Sequence, residues 1–219
     1  MESKIYHGNL TITAENVLEY KHINTVTGYL SIKESGTFLP ALTEIGGALC
    51  IVAPDAQLPA LTHVGGALFI HSRNASLPAL ASVGDDAYIR ADGTSLPALA
   101  VVGGGLYISA HNARMPALAG IGGGNLFISS DGADLPMLTE VLGGLYIRTE
   151  GSEFDHSKIK FGAGEVLAVS GYALHLKDGM YSAGCRGPWT AEQALAHWGT
   201  DHPCQERASI FRRAIIGHE

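Results

Sequence analysis

Cysteine is scarce, charge is thin, and long apolar runs are missing. The three cysteines, Cys50, Cys185 and Cys204, are an odd number spread over 219 residues, so no disulfide framework organises the chain. A reduced, cytoplasmic setting is expected. Charged residues make up 16% of the chain, its formal net charge is −7, and no basic run occurs. Direct nucleic-acid binding through phosphates is therefore not expected. No apolar stretch approaches the ~20 residues that cross a bilayer, so no membrane association is expected. The opening MESKIYHGNL has neither an apolar core nor a cleavage signal, which argues against secretion by the usual route. HExxH, GxSxG and a Gly-rich phosphate loop after a strand are all missing, so the sequence offers no enzyme signature and no cofactor is expected. Glycine, by contrast, is plentiful at 28 residues without a Gly-X-Y period, which excludes collagen.

What is present is a repeat. Prolines stand at Pro40, Pro59, Pro78, Pro97 and Pro116, nineteen residues apart, and at Pro136 after one inserted residue. Each opens nearly the same phrase, as in LPALTHVGGALFI and LPALAVVGGGLYI. A short fixed period is the signature of a solenoid. Within one coil, Ala67-Leu68-Phe69-Ile70-His71 alternates, placing Leu68 and Ile70 inward and Phe69 and His71 outward. The inward pair recurs from Leu30/Ile32 to Leu145/Ile147, with weaker copies at Leu10/Ile12 and Leu167/Val169, giving about nine coils. Stacked about 4.8 Å apart, they predict a mainly β, parallel solenoid roughly 40 Å long over residues 1–170. Its core is aliphatic ladders, and no coil can bury its own inner face alone. The Gly-Gly pairs are read as tight corners with positive φ. The prolines are read as corners or strand starts, where no ladder hydrogen bond is donated. Ala56, Ala75, Ala113 and Ala133 mark another corner.

The outward position between the buried pair reads Ser31, Cys50, Phe69, Tyr88, Tyr107, Phe127 and Tyr146, and the next outward position reads Lys33, Val52, His71, Arg90, Ser109, Ser129 and Arg148. Five successive aromatics at one register predict a stacked ribbon about 20 Å long. Such a ribbon either stiffens the sheet or forms a recognition face for a protein partner or a second copy. A stacking platform for sugars or bases is a further reading. The partner-binding candidates are Phe69, His71, Tyr88, Arg90, Tyr107, Phe127, Tyr146 and Arg148. At Gly84-Asp85-Asp86-Ala87 two acids replace the glycine corner. A solvated corner is expected there, since two carboxylates alone are a weak calcium signal.

From Gly171 the pattern changes, and residues 171–219 read as an α+β capping segment. YALHLKDGMYSAGC is a hairpin turning at Asp178-Gly179. Thr190-Ala-Glu-Gln193 is a capping box, predicting a helix over Ala191 to Trp198 that Gly199 ends. A second helix is expected to start at Pro203 and close at Gly217, with Ala208, Phe211 and Ile215 on its apolar face. Cys185, His197, His202 and Cys204 invite a zinc reading, but one residue between His202 and Cys204 is tight and there is no CxxC. No metal is expected, and packed side chains are the preferred account.

The phrase L-P-x-L-x-x-[IV]-G-G-x-L-x-I resembles the leucine-rich β-solenoid repeats of receptor L-domain type over roughly residues 9 to 170. That resemblance implies a coil of parallel strands. The receptor versions are secreted and disulfide-capped, whereas this chain has neither feature. The tail AGCRGPWTAEQALAHWG…ERASIFRRAI is similar to tails of phage- and prophage-encoded repeat proteins, which implies a phage or prophage origin and no catalytic role. The resulting expectation is a non-enzymatic scaffold that binds a host protein in the bacterial cytoplasm, such as an antiviral defence protein, with a homodimer also possible. Two other expectations are a self-assembling virion or fibre component and a carbohydrate-binding or carbohydrate-active solenoid.

Overall fold

A computed structural model describes residues 4–129, 133–147, 160–161, 164–169, 173–183 and 186–218. The repeat phrase folds as a parallel β-solenoid. Two-residue strands from Ile5–Tyr6 through Thr25–Val26, His63–Val64 and Val101–Val102 to Glu140–Val141 pair in parallel to form a short face. Three-residue strands from Leu10–Ile12 to Leu145–Ile147 form a parallel long face, with Leu49, Leu68, Ala87 and Leu106 in one register column. Isolated bridges between Phe38, Gln57 and Ser76, and between Ser95, Arg114 and Asp134, mark a third side.

The long face holds eight strands among the described residues, hence seven coil-to-coil steps and not nine coils. The expected last copy, Leu167/Val169, instead lies in strand Gly164–Val169, which pairs antiparallel with Lys160–Phe161 and with Ala173–Lys177 in the other sheet. An apolar alternation of period 2 looks the same in parallel and antiparallel strands, so side-chain pattern alone did not reveal the chain reversal.

The phrase LPAL is a β-turn. Leu80 N–H donates to Leu77 O at 3.3 Å, and Leu99 N–H to Leu96 O at 3.2 Å, which puts Pro78 and Pro97 at the second position, where a fixed φ suits the turn. Both leucines of each turn are fully buried. Each such aliphatic contributes about 1.5–3 kcal/mol by leaving water.

The glycine corners work differently from expectation. None of the paired corner glycines has a positive φ. Their constraint is the neighbouring coil: a Cβ on Gly47 would lie 2.7 Å from Gly28 C and 2.9 Å from Tyr29 N, and one on Gly66 would lie 2.9 Å from Ala48 N. Gly47 N–H donates to Gly28 O and Gly66 N–H to Gly47 O, each at 3.0 Å, so at this corner successive backbones come too close for a side chain. Left-handed backbone occurs at another corner, in the column Gly36, Asp55, Asn74, Gly93 and Asn112, all with φ between 54° and 69°. Gly, Asn and Asp are the residue types that accept this conformation most readily.

The first coil carries a short helix, α1 (Val17–Tyr20). Beside it, Asn16 acts as a substitute strand. Its Nδ2 donates to Thr11 O and its Oδ1 accepts from Thr13 N, both at 2.9 Å. Groups on the open edge of strand Leu10–Ile12 are thereby satisfied, a usual way to blunt a sheet edge.

At the other end the short-face sheet continues antiparallel through Ala173–Lys177, Met180–Ala183 and Arg186–Trp189. Asp178 (φ 51°) and Gly179 (φ 76°) form the hairpin turn as expected. Helix α2 (Ala191–His197) has the full capping box, with Gln193 N–H donating to Thr190 Oγ1 and Thr190 N–H to Gln193 Oε1. It stops one residue short of Trp198, which serves as its C-cap. Helix α3 (Gln205–His218) starts after Cys204, not at Pro203. It also runs through Gly217, which stands in open space without a positive φ and so does not terminate it. Ala208, Phe211 and Ile215 are buried with Trp198, Leu174 and Tyr181 in a core of the cap's own.

Candidate binding face

Parallel, in-register strands place equivalent residues one strand spacing apart. The stacked aromatic column is a direct result. Phe69 and Tyr88 stack with centroids 4.9 Å apart and planes 2° apart, and Tyr88 and Tyr107 at 4.7 Å and 6°. These distances match the ~4.8 Å between strands, so the rings lie flat on one another without leaving their register. The next steps open to 6.5 Å and 30° at Tyr107–Phe127, and 6.1 Å and 31° at Phe127–Tyr146. The loosening begins at the coil with the inserted residue, where Ile121 and Leu126 are joined by Gly122-Gly123-Gly124-Asn125 in place of a three-residue corner.

All five rings are half-buried. His71 lies parallel to Phe69 at 6.2 Å and 4°, and its side chain is exposed. Arg90 is exposed at the same register one coil on. Ser109 and Ser129 follow, joined at 3.3 Å between hydroxyls. Seven of the eight expected face residues therefore share one face. The eighth, Arg148, lies outside the described residues. Ser31, which follows Thr11 in the same column, is buried at 3% exposure.

Asp86 was expected to be a solvated corner acid. It is half-buried, and both carboxylate oxygens are engaged. Oδ2 accepts from Tyr88 Oη at 2.9 Å, and Oδ1 accepts Gly105 N–H at 2.6 Å. The hydrogen bond to Asp86 raises the Tyr88 phenol above its ordinary pKa, with burial and the carboxylate charge adding to the effect. Asn9 and Asn125 stand in the same column and do the same work, accepting Tyr29 N–H at 2.9 Å and Gly144 N–H at 2.8 Å. Asp86 differs in also fixing the second ring of the column, Tyr88. The sequence signal for this was Asn9, Asp86 and Asn125 before the inward pair, a column not singled out in the reading above.

The tail residues come together in the cap. Trp189 and His197 stack at 4.5 Å, and His197 meets Trp198 and His202 edge-on at 4.7 and 5.6 Å. Burial lowers the His197 pKa, helped by the nearby His202 and Arg186 charges. His197 Nε2 is buried with no hydrogen-bond partner among the described residues, a state that typically costs about 1–3 kcal/mol. Cys204 is free, and Cys185 lies outside the described residues. No group of three His, Cys, Asp or Glu side chains among the described residues could hold a metal ion. No described helix is long and apolar enough to cross a membrane.

Comparison with family models, curated proteins and solved structures returned no match to this chain.

Proposed function

We propose that the chain is a non-enzymatic protein-binding scaffold that holds its partner on the aromatic column of the long face. The observation that carries this reading is the composition of that face: a column of five half-buried rings, flanked by exposed His71 and Arg90. Rigid aromatics beside arginine are the usual anchors of protein interfaces, because they bury much area while losing little rotamer freedom. The solenoid holds the rings in place before any partner arrives, which lowers the entropic cost of docking. The similarity of the tail to phage-encoded repeat proteins supports a host protein as the partner, a component of bacterial antiviral defence that the scaffold would occupy.

Two observations weigh against the other readings. The carboxylate beside the rings, Asp86, has both oxygens committed to positioning, which suits a structural role better than glycoside chemistry, where two carboxylates flank the bond that is cut. Asn16 blocks the N-terminal strand edge, which opposes open-ended stacking into a fibre.

The test is a tagged pull-down from bacterial lysate, read by mass spectrometry, for the wild type and for Phe69→Ala/Tyr88→Ala/Tyr107→Ala. Circular dichroism confirms that the variant is folded. A stoichiometric protein held by the wild type and lost by the folded variant supports the reading. Equal recovery by both removes the column as the interface.

A further inference from the structure

Charge is sorted on the solenoid. The chain has a formal net charge of −7, yet its long face does not share that balance. The residue after the inward pair reads Lys33, Val52, His71 and Arg90 on four successive coils, and all four are exposed. No long-face strand has an acid at its middle position or at the position after it. The position before the strand holds one acid, Asp86, whose two oxygens are already taken by Tyr88 and the Gly105 N–H. The acids next along the chain, Glu34 and Asp85, belong to the flanking corners. Neither Lys33 nor Arg90 forms an ion pair among the described residues, where the one pair is Asp92 with His111. The long face thus carries uncompensated cations on an acidic chain.

The rings limit what can meet those cations. Tyr88 is covered on both faces, by Phe69 at 4.9 Å and by Tyr107 at 4.7 Å, so no base or sugar can stack on it. A Cβ on Gly105 would lie 3.1 Å from Tyr107 Oη, so the Tyr107 phenol lies back over Gly105 much as Tyr88 reaches Asp86. Apolar surface continues beside the cations at Val52, which is 47% exposed. Cations beside apolar and aromatic surface are complementary to carboxylates set among apolar side chains.

The shape of the face narrows the choice of partner further. Eight strands of three residues, about 4.8 Å apart and with about 3.3 Å per residue, make a strip roughly 34 Å by 10 Å. That is less than half of the ~800 Å² that each partner buries in a standard interface. Two copies set face to face would also bring like charges together. A single segment of another protein, lying along the strip, fits both its width and its charge.

We infer, on the reading of the aromatic column as the partner-binding face, that the partner docks through an acidic segment of polypeptide. Its carboxylates meet Lys33 and Arg90, and its apolar side chains meet Val52 and the rings.

The experiment selects a display library of random dodecapeptides against the full chain and, in parallel, against the folded variant Phe69→Ala/Tyr88→Ala/Tyr107→Ala. Peptides held by the wild type alone are sequenced, synthesised with a fluorescent label and titrated by anisotropy. The variants titrated are Lys33→Glu, Arg90→Glu and a control, Arg114→Glu, which makes the same charge change on the third side of the coil. Circular dichroism checks each fold. Expected are ring-dependent peptides with more Asp and Glu than Lys and Arg. Their binding should weaken about tenfold in Lys33→Glu and Arg90→Glu, fall with added salt and persist in Arg114→Glu. Ring-dependent peptides without an acidic excess, or binding untouched by both reversals on the face, would overturn this inference and leave the column standing as a binding face. A selection that yields no ring-dependent peptide would overturn both. A labelled oligouridylate that binds the same face more tightly than the best peptide would make the partner a nucleic acid and overturn the acidic segment.

Discussion

Gly47→Ala is a small change with a large expected cost. Gly47 has no positive φ, so the backbone conformation itself tolerates alanine. The obstacle is the next coil. The new methyl carbon would lie 2.7 Å from Gly28 C, 2.8 Å from Gly28 O and 2.9 Å from Tyr29 N, about half an ångström inside ordinary contact. All three atoms are backbone, so no side chain can rotate away. Relief requires the coils to separate locally, which stretches the 3.0 Å bond from Gly47 N–H to Gly28 O. Overpacking strain of ~1–3 kcal/mol and a weakened hydrogen bond of ~1 kcal/mol together give a loss of about 2–4 kcal/mol. The control is Gly93→Asn. Gly93 has φ 69° with open space around it, and Asn74 and Asn112 occupy equivalent corners at 62° and 54°, so this change should alter stability by less than about 0.5 kcal/mol. Urea unfolding followed by far-ultraviolet circular dichroism measures both. A Gly47→Ala protein within ~0.5 kcal/mol of wild type, against the overpacking range above, would refute the close-approach account. A large loss in Gly93→Asn would refute the account of the left-handed corner.

Other outcomes follow from the same geometry. Asp86→Ala should cost about 1–3 kcal/mol by orphaning the Gly105 N–H and the Tyr88 hydroxyl, while Asp86→Asn, which copies Asn9 and Asn125, should cost much less; urea midpoints decide. Leu80→Ala, at a fully buried turn position, should cost about 2–5 kcal/mol in the same assay. Acid should loosen the cap before the solenoid. His175 and His197 have folded-state pKa values lowered mainly by burial from the ordinary 6.5, so below pH 6.5 the unfolded cap binds more protons than the folded one and stability falls as pH falls. Tryptophan emission should therefore shift to the red on acidification before the solenoid's circular dichroism changes; simultaneous loss would contradict this.

The solenoid was legible in the sequence because period and burial are tied. Leu and Ile two residues apart, repeating every nineteen, leave one way to bury both. The aromatic face was legible for the same reason, since a parallel register converts a column in the sequence into a stack in space. Glycine was misread at the corners because two different constraints select it. A close approach between backbones leaves no room for a side chain, whereas a left-handed φ favours Gly, Asn or Asp, and only coordinates tell them apart: the first holds at Gly47 and Gly66, the second at Gly36 and Gly93. The false coil at Leu167/Val169 had the right alternation and the wrong strand direction. A cavity in the cap was not legible, because strand Arg186–Trp189 and the start of α3, which both line it, are separated in the chain by a whole helix.

Hydroxyl-radical footprinting of the scaffold, free and bound to the protein it captures, tests the central claim most directly. The account predicts that Phe69, Tyr88 and Tyr107 are oxidised in the free chain and protected in the complex, while Trp189 is oxidised equally in both. Unchanged oxidation of the three rings on binding, or protection already complete in the free chain at concentrations where it is monomeric, would contradict it.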